Sequence, residues 1–476
     1  MKNAELVKQG DWIPARLLST AGIRNQNEQE RRAASALLAV MGAVPDFCRG
    51  LLAGMKPPSG SISTYTELRF KDVDQRTHIP DGAIVIERGA KRWGCLVEIK
   101  TSGVSLDSEQ MSRYLDLARE HGFDALLTIS NQIRGEPTLL PYSVPRQKLK
   151  GLTVHHLSWW RVLTEAIVQH RFRGIDDPDQ AWIVGELIRY LDDEKSGATG
   201  FEGMGHEWVT VRESARNGTL RDSDPEAETI ARRWEQFGEY LCLHLSQELG
   251  VDVKHLRGRG KSPAERIAVA TERLANEGIL ACSMRVPDAV GAIGVEANLR
   301  TRQVTTSVEI QAPKEGRSKT RINWLLRQLA DASDDLRIDV RFSHVRSTRS
   351  ALLRDCREAP ERLLMDDDAK REPRTFVLAL SKPMGKKGGL KEGSFVAETR
   401  RQATEFYRDL VQGLMPPRTK APKIREEAEE HRPELVAEPE KSEGEARREQ
   451  ASRLDWLAEL GSIQSQSGPL RSGSER

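Results

Sequence analysis

Pro80-Asp81-Gly82-Ala83-Ile84-Val85-Ile86-Glu87-Arg88-Gly89-Ala90-Lys91-Arg92-Trp93-Gly94-Cys95-Leu96-Val97-Glu98-Ile99-Lys100 is the stretch whose reading decides the fold. Ile79 to Ile86 and Trp93 to Ile99 are rich in β-branched and aromatic residues, which predicts two strands. Arg88-Gly89-Ala90-Lys91 lies between them, and glycine first of the central pair suits a type II′ hairpin turn. Pairing about the midpoint between Gly89 and Ala90 sets Asp81 opposite Glu98. Cross-strand partners hold their Cβ atoms about 4.5–5.5 Å apart. Glu98 and Lys100 lie two apart and so share one face of a strand. Two carboxylates and one ammonium therefore converge on one patch.

That patch is costly without a cation. Two carboxylates about 4 Å apart repel by roughly 4 kcal/mol at an effective dielectric near 20. Either one takes up a proton or a divalent metal neutralises both. Oxygen ligands with open positions suit Mg²⁺ or Mn²⁺. A metal so held polarises a phosphoryl oxygen, and Lys100 beside it would position a water or stabilise developing charge. The chemistry implied is metal-assisted phosphodiester hydrolysis.

Working outward, Asn27-Glu28-Gln29-Glu30 has the form of a capping box, with Asn27 as N-cap and Glu30 at N3. Ala34, Leu37, Leu38 and Met41 follow at helical spacing, and Pro45 closes the segment. Thr64 to Phe70 reads as a strand preceding the hairpin. A helix is expected from about Leu106 to Glu120, with Met111, Tyr114, Leu115 and Ala118 on its apolar face. Strands at Asp124 to Ser130 and Leu152 to His156 and a helix from Trp159 to about Val168 come next. The order α-β-β-β-α-β predicts a mixed α/β layer fold.

These residues resemble the PD-(D/E)XK, or restriction-endonuclease-like, nuclease superfamily. Pro80-Asp81 supplies the first half of its motif and Glu98-Ile99-Lys100 the second, within the element order that the family shares. The resemblance covers roughly residues 25–160, about a third of the chain. It implies that Asp81 and Glu98 ligate Mg²⁺ or Mn²⁺ and that Lys100 assists the attacking water. It also offers Glu30 as the glutamate of the first core helix, and Gln110-Met111-Ser112-Arg113-Tyr114 as the Gln-x-x-x-Tyr of some exonuclease-type branches. Decoys are present. Pro178-Asp179 precedes Asp193-Glu194-Lys195, but the residues between have helical spacing. Pro287-Asp288 precedes Glu296-Ala297-Asn298, which lacks the lysine and leaves too little room for two strands.

Plainer roles compete at each position. Asp81-Gly82 is a turn dipeptide, and a capping glutamate such as Glu30 needs no catalytic role. Against that, Glu30 shares a stripe with Ala34, Leu37 and Met41 that aims it inward. For Glu67 a cross-strand salt bridge competes with reaching the metal. Tyr114 is core whatever else it does, and for Gln110 the two roles stand level. His155 and His156 fall on opposite faces of a strand and read as structural, as do Trp159 and Trp160.

The chain has 476 residues, 73 Lys+Arg against 71 Asp+Glu, and five scattered cysteines without a C-x-x-C pair. This composition excludes a histone-like or polyacidic protein, a disulfide framework and a zinc ribbon. No stretch approaches the ~20 apolar residues of a spanning helix, and the expected setting is cytoplasmic. The expected organisation is a nuclease-like domain over 1–175, a helical connector over 176–225, an α+β domain over 226–414 and a disordered tail over 415–476. The second domain should open with a helix from Ile230 to Leu249, carry a capping box at Ser262-Pro263-Ala264-Glu265, and include strands at Val304 to Ile310, Ile338 to Phe342 and Thr375 to Leu380. The tail is rich in Pro, Glu and Arg, and its island Leu454 to Leu460 offers a short partner-binding helix, with a bare helical fluctuation the plainer reading.

Gly258-Arg259-Gly260-Lys261-Ser262 is not a Walker loop, because His255 stands where glycine is needed. Acid-free basic runs nevertheless suggest phosphate contacts: Lys254, Arg257, Arg259 and Lys261; then Lys314, Arg317, Lys319 and Arg321; then Arg341, Arg346, Arg349 and Arg354; and Lys382, Lys386, Lys387 and Lys391. The expected partner is nucleic acid, DNA before RNA. The family resemblance leaves a homodimer open, though no dimerisation signal is present. A scaffold of another class, binding nucleic acid without cleaving it, in a stress response for example, is the alternative.

Overall fold

The hairpin predicted around Gly89 forms with the predicted register. In the computed structural model, which describes residues 16–71, 75, 77–198, 200–258, 260, 262–344, 346–364 and 371–417, β2 (Gly82–Arg88) pairs antiparallel with β3 (Lys91–Ile99), Gly82 facing Val97 and Arg88 facing Lys91. Gly89 takes φ +59, while Ala90 keeps an ordinary negative φ. Only the first central residue is left-handed, as a type II′ turn requires. β1 (Ser61–Thr66) adds to β2 antiparallel. β4 (Ala125–Ser130) and β5 (Thr153–Ser158) add to β3 in parallel, giving a five-stranded sheet in the order β1-β2-β3-β4-β5.

Helices cover both faces of this sheet, which is why β3 and β4 read as nearly continuous apolar runs. On one face α1 (Gln26–Ala43), α2 (Pro45–Leu52), α4 (Trp159–Val168) and α5 (Pro178–Asp192) bury Ile84, Cys95, Val97, Ile99 and Leu127. On the other, Met111, Tyr114, Leu115 and Ala118 of α3 (Ser108–Glu120) close over Ala83, Leu96 and Leu126. Val97 and Ile99 therefore lie beneath α1, and the alternation of the strand turns Glu98 toward α3.

The cap of α1 differs from the expectation. Its N-cap is Asn25, whose side chain accepts from the Glu28 N–H, and Glu28 returns to accept from the Arg24 N–H. The box lies two residues earlier than Asn27 and Glu30 imply, which leaves Glu30 free for other partners. The strand expected over Thr64 to Phe70 also starts earlier and ends at Thr66. Beyond it Glu67 is left-handed, and Phe70–Lys71 pair instead with Thr77–His78.

The decoy stretch 178–192 is the helix its spacing implies. α6 (Trp208–Asn217) and α7 (Pro225–Leu249) follow, then a second, wholly antiparallel sheet. It is built from β6 (Lys254–His255), β7 (Ile279–Arg285), β8 (Ile293–Asn298), β9 (Gln303–Gln311), β10 (Arg337–Phe342), β11 (Thr348–Leu352) and β12 (Pro373–Pro383), in the order β11-β10-β12-β9-β8-β7-β6. α8 (Pro263–Glu277) starts on the predicted Ser262/Glu265 capping box. α4 ties the two sheets together. Trp160 lies 5.0 Å from the Tyr240 ring, Gln247 donates to Thr164, and Arg161 pairs with Asp252. From residue 418 onward the tail expected to be disordered, with its island at Leu454 to Leu460, lies outside the described residues.

Candidate active site

The end of the β2/β3 ladder places the predicted residues together. Asp81 stands one residue before β2, and its Oδ2 accepts from the Ile99 N–H at 2.7 Å, so the carboxylate is tied to the last residue of β3. The ladder that pairs Gly82 with Val97 brings this carboxylate to the level of Glu98, and the two charges repel. Glu98 is 1% exposed. Its Oε1 accepts from Lys100 Nζ at 3.0 Å and from Gln110 Nε2 at 3.0 Å. Its Oε2 is buried and has no hydrogen-bond donor among the described residues.

Each flanking element adds a support. Asp107 caps α3 by accepting from the Gln110 N–H, which sets Gln110 in the first turn beneath Glu98. Gln110 also donates to the Tyr114 hydroxyl at 3.1 Å, and that hydroxyl donates to the Ile79 carbonyl at 3.2 Å. Glu30, released from capping, accepts from Lys100 Nζ at 3.2 Å. The backbone of Lys100 is fixed on both sides: its N–H donates to Ile129 O, and its carbonyl accepts from Trp159 Nε1 at 2.8 Å. The candidates Glu30, Asp81, Glu98, Lys100 and Gln110 thus form one connected cluster.

Burial drives the electrostatics. Desolvation, followed by repulsion from Asp81, pushes Glu98 up to about 8. Asp81 is likewise raised, chiefly by burial, against the lowering effect of the Ile99 N–H and of Lys100. Burial alone would pull Lys100 down, but Glu98, Asp81 and Glu30 outweigh it and keep the ammonium charged. Tyr114 is raised by burial and by the charge of Glu98, so it remains a neutral hydroxyl. A buried carboxyl pair with this bias holds a proton unless a cation replaces it.

The donor set fits a hard divalent cation. Among the described residues no three acidic, imidazole or thiol groups lie close enough to form a cage made of protein alone. Asp81 and Glu98 offer two carboxylates, one of them with an oxygen that no described residue donates to. Mg²⁺ is usually bound through one or two carboxylates, keeping its other positions for water and substrate phosphate.

A cleft of about 1030 Å³ opens beside Asp81, between α1 and the segment joining β1 to β2, with Arg31 and Arg69 on its walls. Sequence reasoning missed these two arginines, because neither belongs to a basic run. It also missed Trp159 as a support of Lys100 and Gln29, which accepts from the Thr101 and Ser102 hydroxyls. Their only sequence signal is adjacency to Glu30, Lys100 or the strand end.

The residues expected to bind nucleic acid do not act as one set. Arg257 pairs with Glu235 and Glu239 and donates to Gly135 O, so its guanidinium is spent inside the fold. Arg321 is 6% exposed and bonds Glu372 and the carbonyls of Lys314, Gly316 and Pro373. Both are structural. Lys254 and Lys319 are exposed, and Arg259 and Lys261 lie outside the described residues. Elsewhere in the basic runs, Arg341 pairs with Glu309, Arg354 with Asp335 and Lys382 with Glu405. His156 is structural as expected, bonded to Thr128 and to Gln132 O.

No family model and no curated protein matches the chain. Among solved structures it is similar to the DNA modification-dependent restriction endonuclease AspBHI, at 16% identity and a TM-score of 0.18, over 40% of this chain and 48% of that one.

Proposed function

We propose that this chain is a metal-dependent nuclease on a restriction-endonuclease-like core, hydrolysing phosphodiester bonds of nucleic acid, DNA in the first place. The observation that carries the reading is the convergence of Asp81, Glu98, Lys100, Glu30 and Gln110 on one buried patch with an unsatisfied carboxylate oxygen. Asp81 and Glu98 are the residues that would hold Mg²⁺ or Mn²⁺. Such an ion, when bound, supplies Lewis-acid polarisation of the scissile phosphate.

The protein's own groups divide the remaining work. Lys100 is a charged donor, not a base, so it orients the attacking water through its lone pairs and offsets negative charge developing at the phosphate. Glu30 and Glu98 hold its ammonium from two sides, which fixes its position. Gln110 keeps Glu98 in one rotamer, an outer support of the kind that tunes ligating carboxylates. Buried Val97, Ile99 and Met111 keep bulk water from the back of the patch.

The test is incubation of the purified protein with plasmid, linear and single-stranded DNA and with single-stranded RNA, in Mg²⁺, Mn²⁺ or EDTA. Cleavage should require the metal and fall at least about 100-fold in Lys100→Ala, the scale of losing one electrostatic contact to the transition state. Equal cleavage by wild type and Lys100→Ala contradicts the assignment. Salt-sensitive binding without hydrolysis, surviving Asp81→Ala and Glu98→Ala, would point to the non-catalytic scaffold instead.

A further inference from the structure

The cleft beside Asp81 holds a strained residue that the chemistry above does not use. Glu67 adopts φ +53, a left-handed conformation that a glutamate rarely takes. Its N–H donates to the Asp81 carbonyl at 3.2 Å, which holds the strained turn against the site. Its carboxylate lies 2.6 Å from the Arg31 guanidinium on α1, with the two side chains 53% and 70% exposed. Non-glycine residues held in this region cluster where geometry serves function. Here the effect is to aim a carboxylate at an arginine at the mouth of the cleft.

The cations of the cleft differ in their commitments. Arg32 is spent on Glu28 and on the Ser19 and Ala21 carbonyls. Among the described residues Arg31 has only its exposed pair with Glu67, and Arg69 makes no ion pair. An exposed pair of this kind contributes little and exchanges readily. A phosphate offers Arg31 the same bidentate oxygen geometry as a carboxylate. Its binding also releases condensed counterions, which a fixed glutamate does not.

We propose that this cleft carries the phosphodiester backbone of the substrate strand, with Arg31 and Arg69 as phosphate contacts and Glu67 as an internal stand-in that phosphate displaces from Arg31. The proposal rests on the nucleic-acid reading above and names the strand's route to that site. The contacts are to phosphate, so they are indifferent to base sequence and shared by DNA and RNA.

The experiment is fluorescence anisotropy with end-labelled single-stranded DNA, duplex DNA and RNA of one sequence, in EDTA so that no hydrolysis occurs, from about 50 to 200 mM salt. Arg31→Ala and Arg69→Ala should each weaken binding to every sequence alike. Each should lower the slope of log K against log salt by about 0.7–0.9, the share of one phosphate contact. Arg31→Lys should keep most of the binding and its slope. Glu67→Gln, with an unchanged circular dichroism spectrum, should tighten binding several-fold. A preference for DNA or for RNA tells which strand enters and supports the cleft either way. Wild-type affinity and slope in both arginine variants would overturn the proposal, while metal-dependent cleavage that persists in them would leave the nuclease reading standing. Glu67→Gln binding no more tightly than wild type would overturn the displacement role. A wild-type protein that neither binds nor cleaves any of the three would overturn both readings.

Discussion

Glu98 carries one carboxylate oxygen bonded to Lys100 and Gln110 and another buried without a donor among the described residues. Its place in the candidate cluster is legible in the sequence, because the two-residue spacing to Lys100 and the hairpin symmetry with Asp81 need only the period of a strand. Its protonation is not legible, since burial in the fold and the nearby Asp81 charge set it. With Glu98 raised to about 8 and Asp81 raised as well, the metal-free pair keeps a proton at pH 7. Metal binding must expel that proton. Mg²⁺ affinity should therefore rise with pH by up to about tenfold per unit below 8 and level off above it. Titration calorimetry from pH 6 to 9 checks this, and an affinity independent of pH across that range would show that the pair is already ionised. Glu30 was half legible. Its inward stripe was visible, but its release from capping depends on Asn25 and Glu28 taking the cap.

Among the elements, the β2/β3 hairpin was the most legible, because one glycine and a clear alternation set its register. α1 packs across the start of β2 so closely that a Cβ at Gly82 would lie 2.3 Å from Leu38 Cδ1 and 2.6 Å from Tyr65 O. The neighbour on one side is backbone, which cannot step aside cheaply. Gly82→Ala should therefore destabilise the protein by about 1–3 kcal/mol, the usual cost of overpacking. Urea unfolding would show this, and a midpoint equal to wild type would mean that α1 is looser than described. β7 and β8 escaped sequence reading for a physical reason. Ile-Leu-Ala-Cys-Ser-Met-Arg and Ile-Gly-Val-Glu-Ala-Asn alternate in burial, yet small residues fill many of their positions and blunt the β-branched signal. The first strand was misplaced because Glu67 to Arg69 continue its alternation in letters, while the backbone at Glu67 turns left-handed.

Across the whole molecule, charge was the least legible property. The basic runs looked free of acid along the chain, but folding brings Glu235 and Glu239 to Arg257, Glu372 to Arg321 and Glu309 to Arg341. These acids come from neighbouring helices, strands and loops, so no reading of local sequence could find them. Arg31 and Arg69 stand outside those runs and line the cleft beside Asp81. The second sheet is joined to the first through α4, where Trp160, Thr164 and Arg161 meet Tyr240, Gln247 and Asp252. The central claim is that Asp81 and Glu98 together hold a divalent ion, and electron paramagnetic resonance titration with Mn²⁺ tests it most directly. Wild type should bind Mn²⁺ and Glu98→Gln should lose that binding while keeping its fold; Mn²⁺ binding that is absent in wild type, or equally strong in Glu98→Gln, would contradict it.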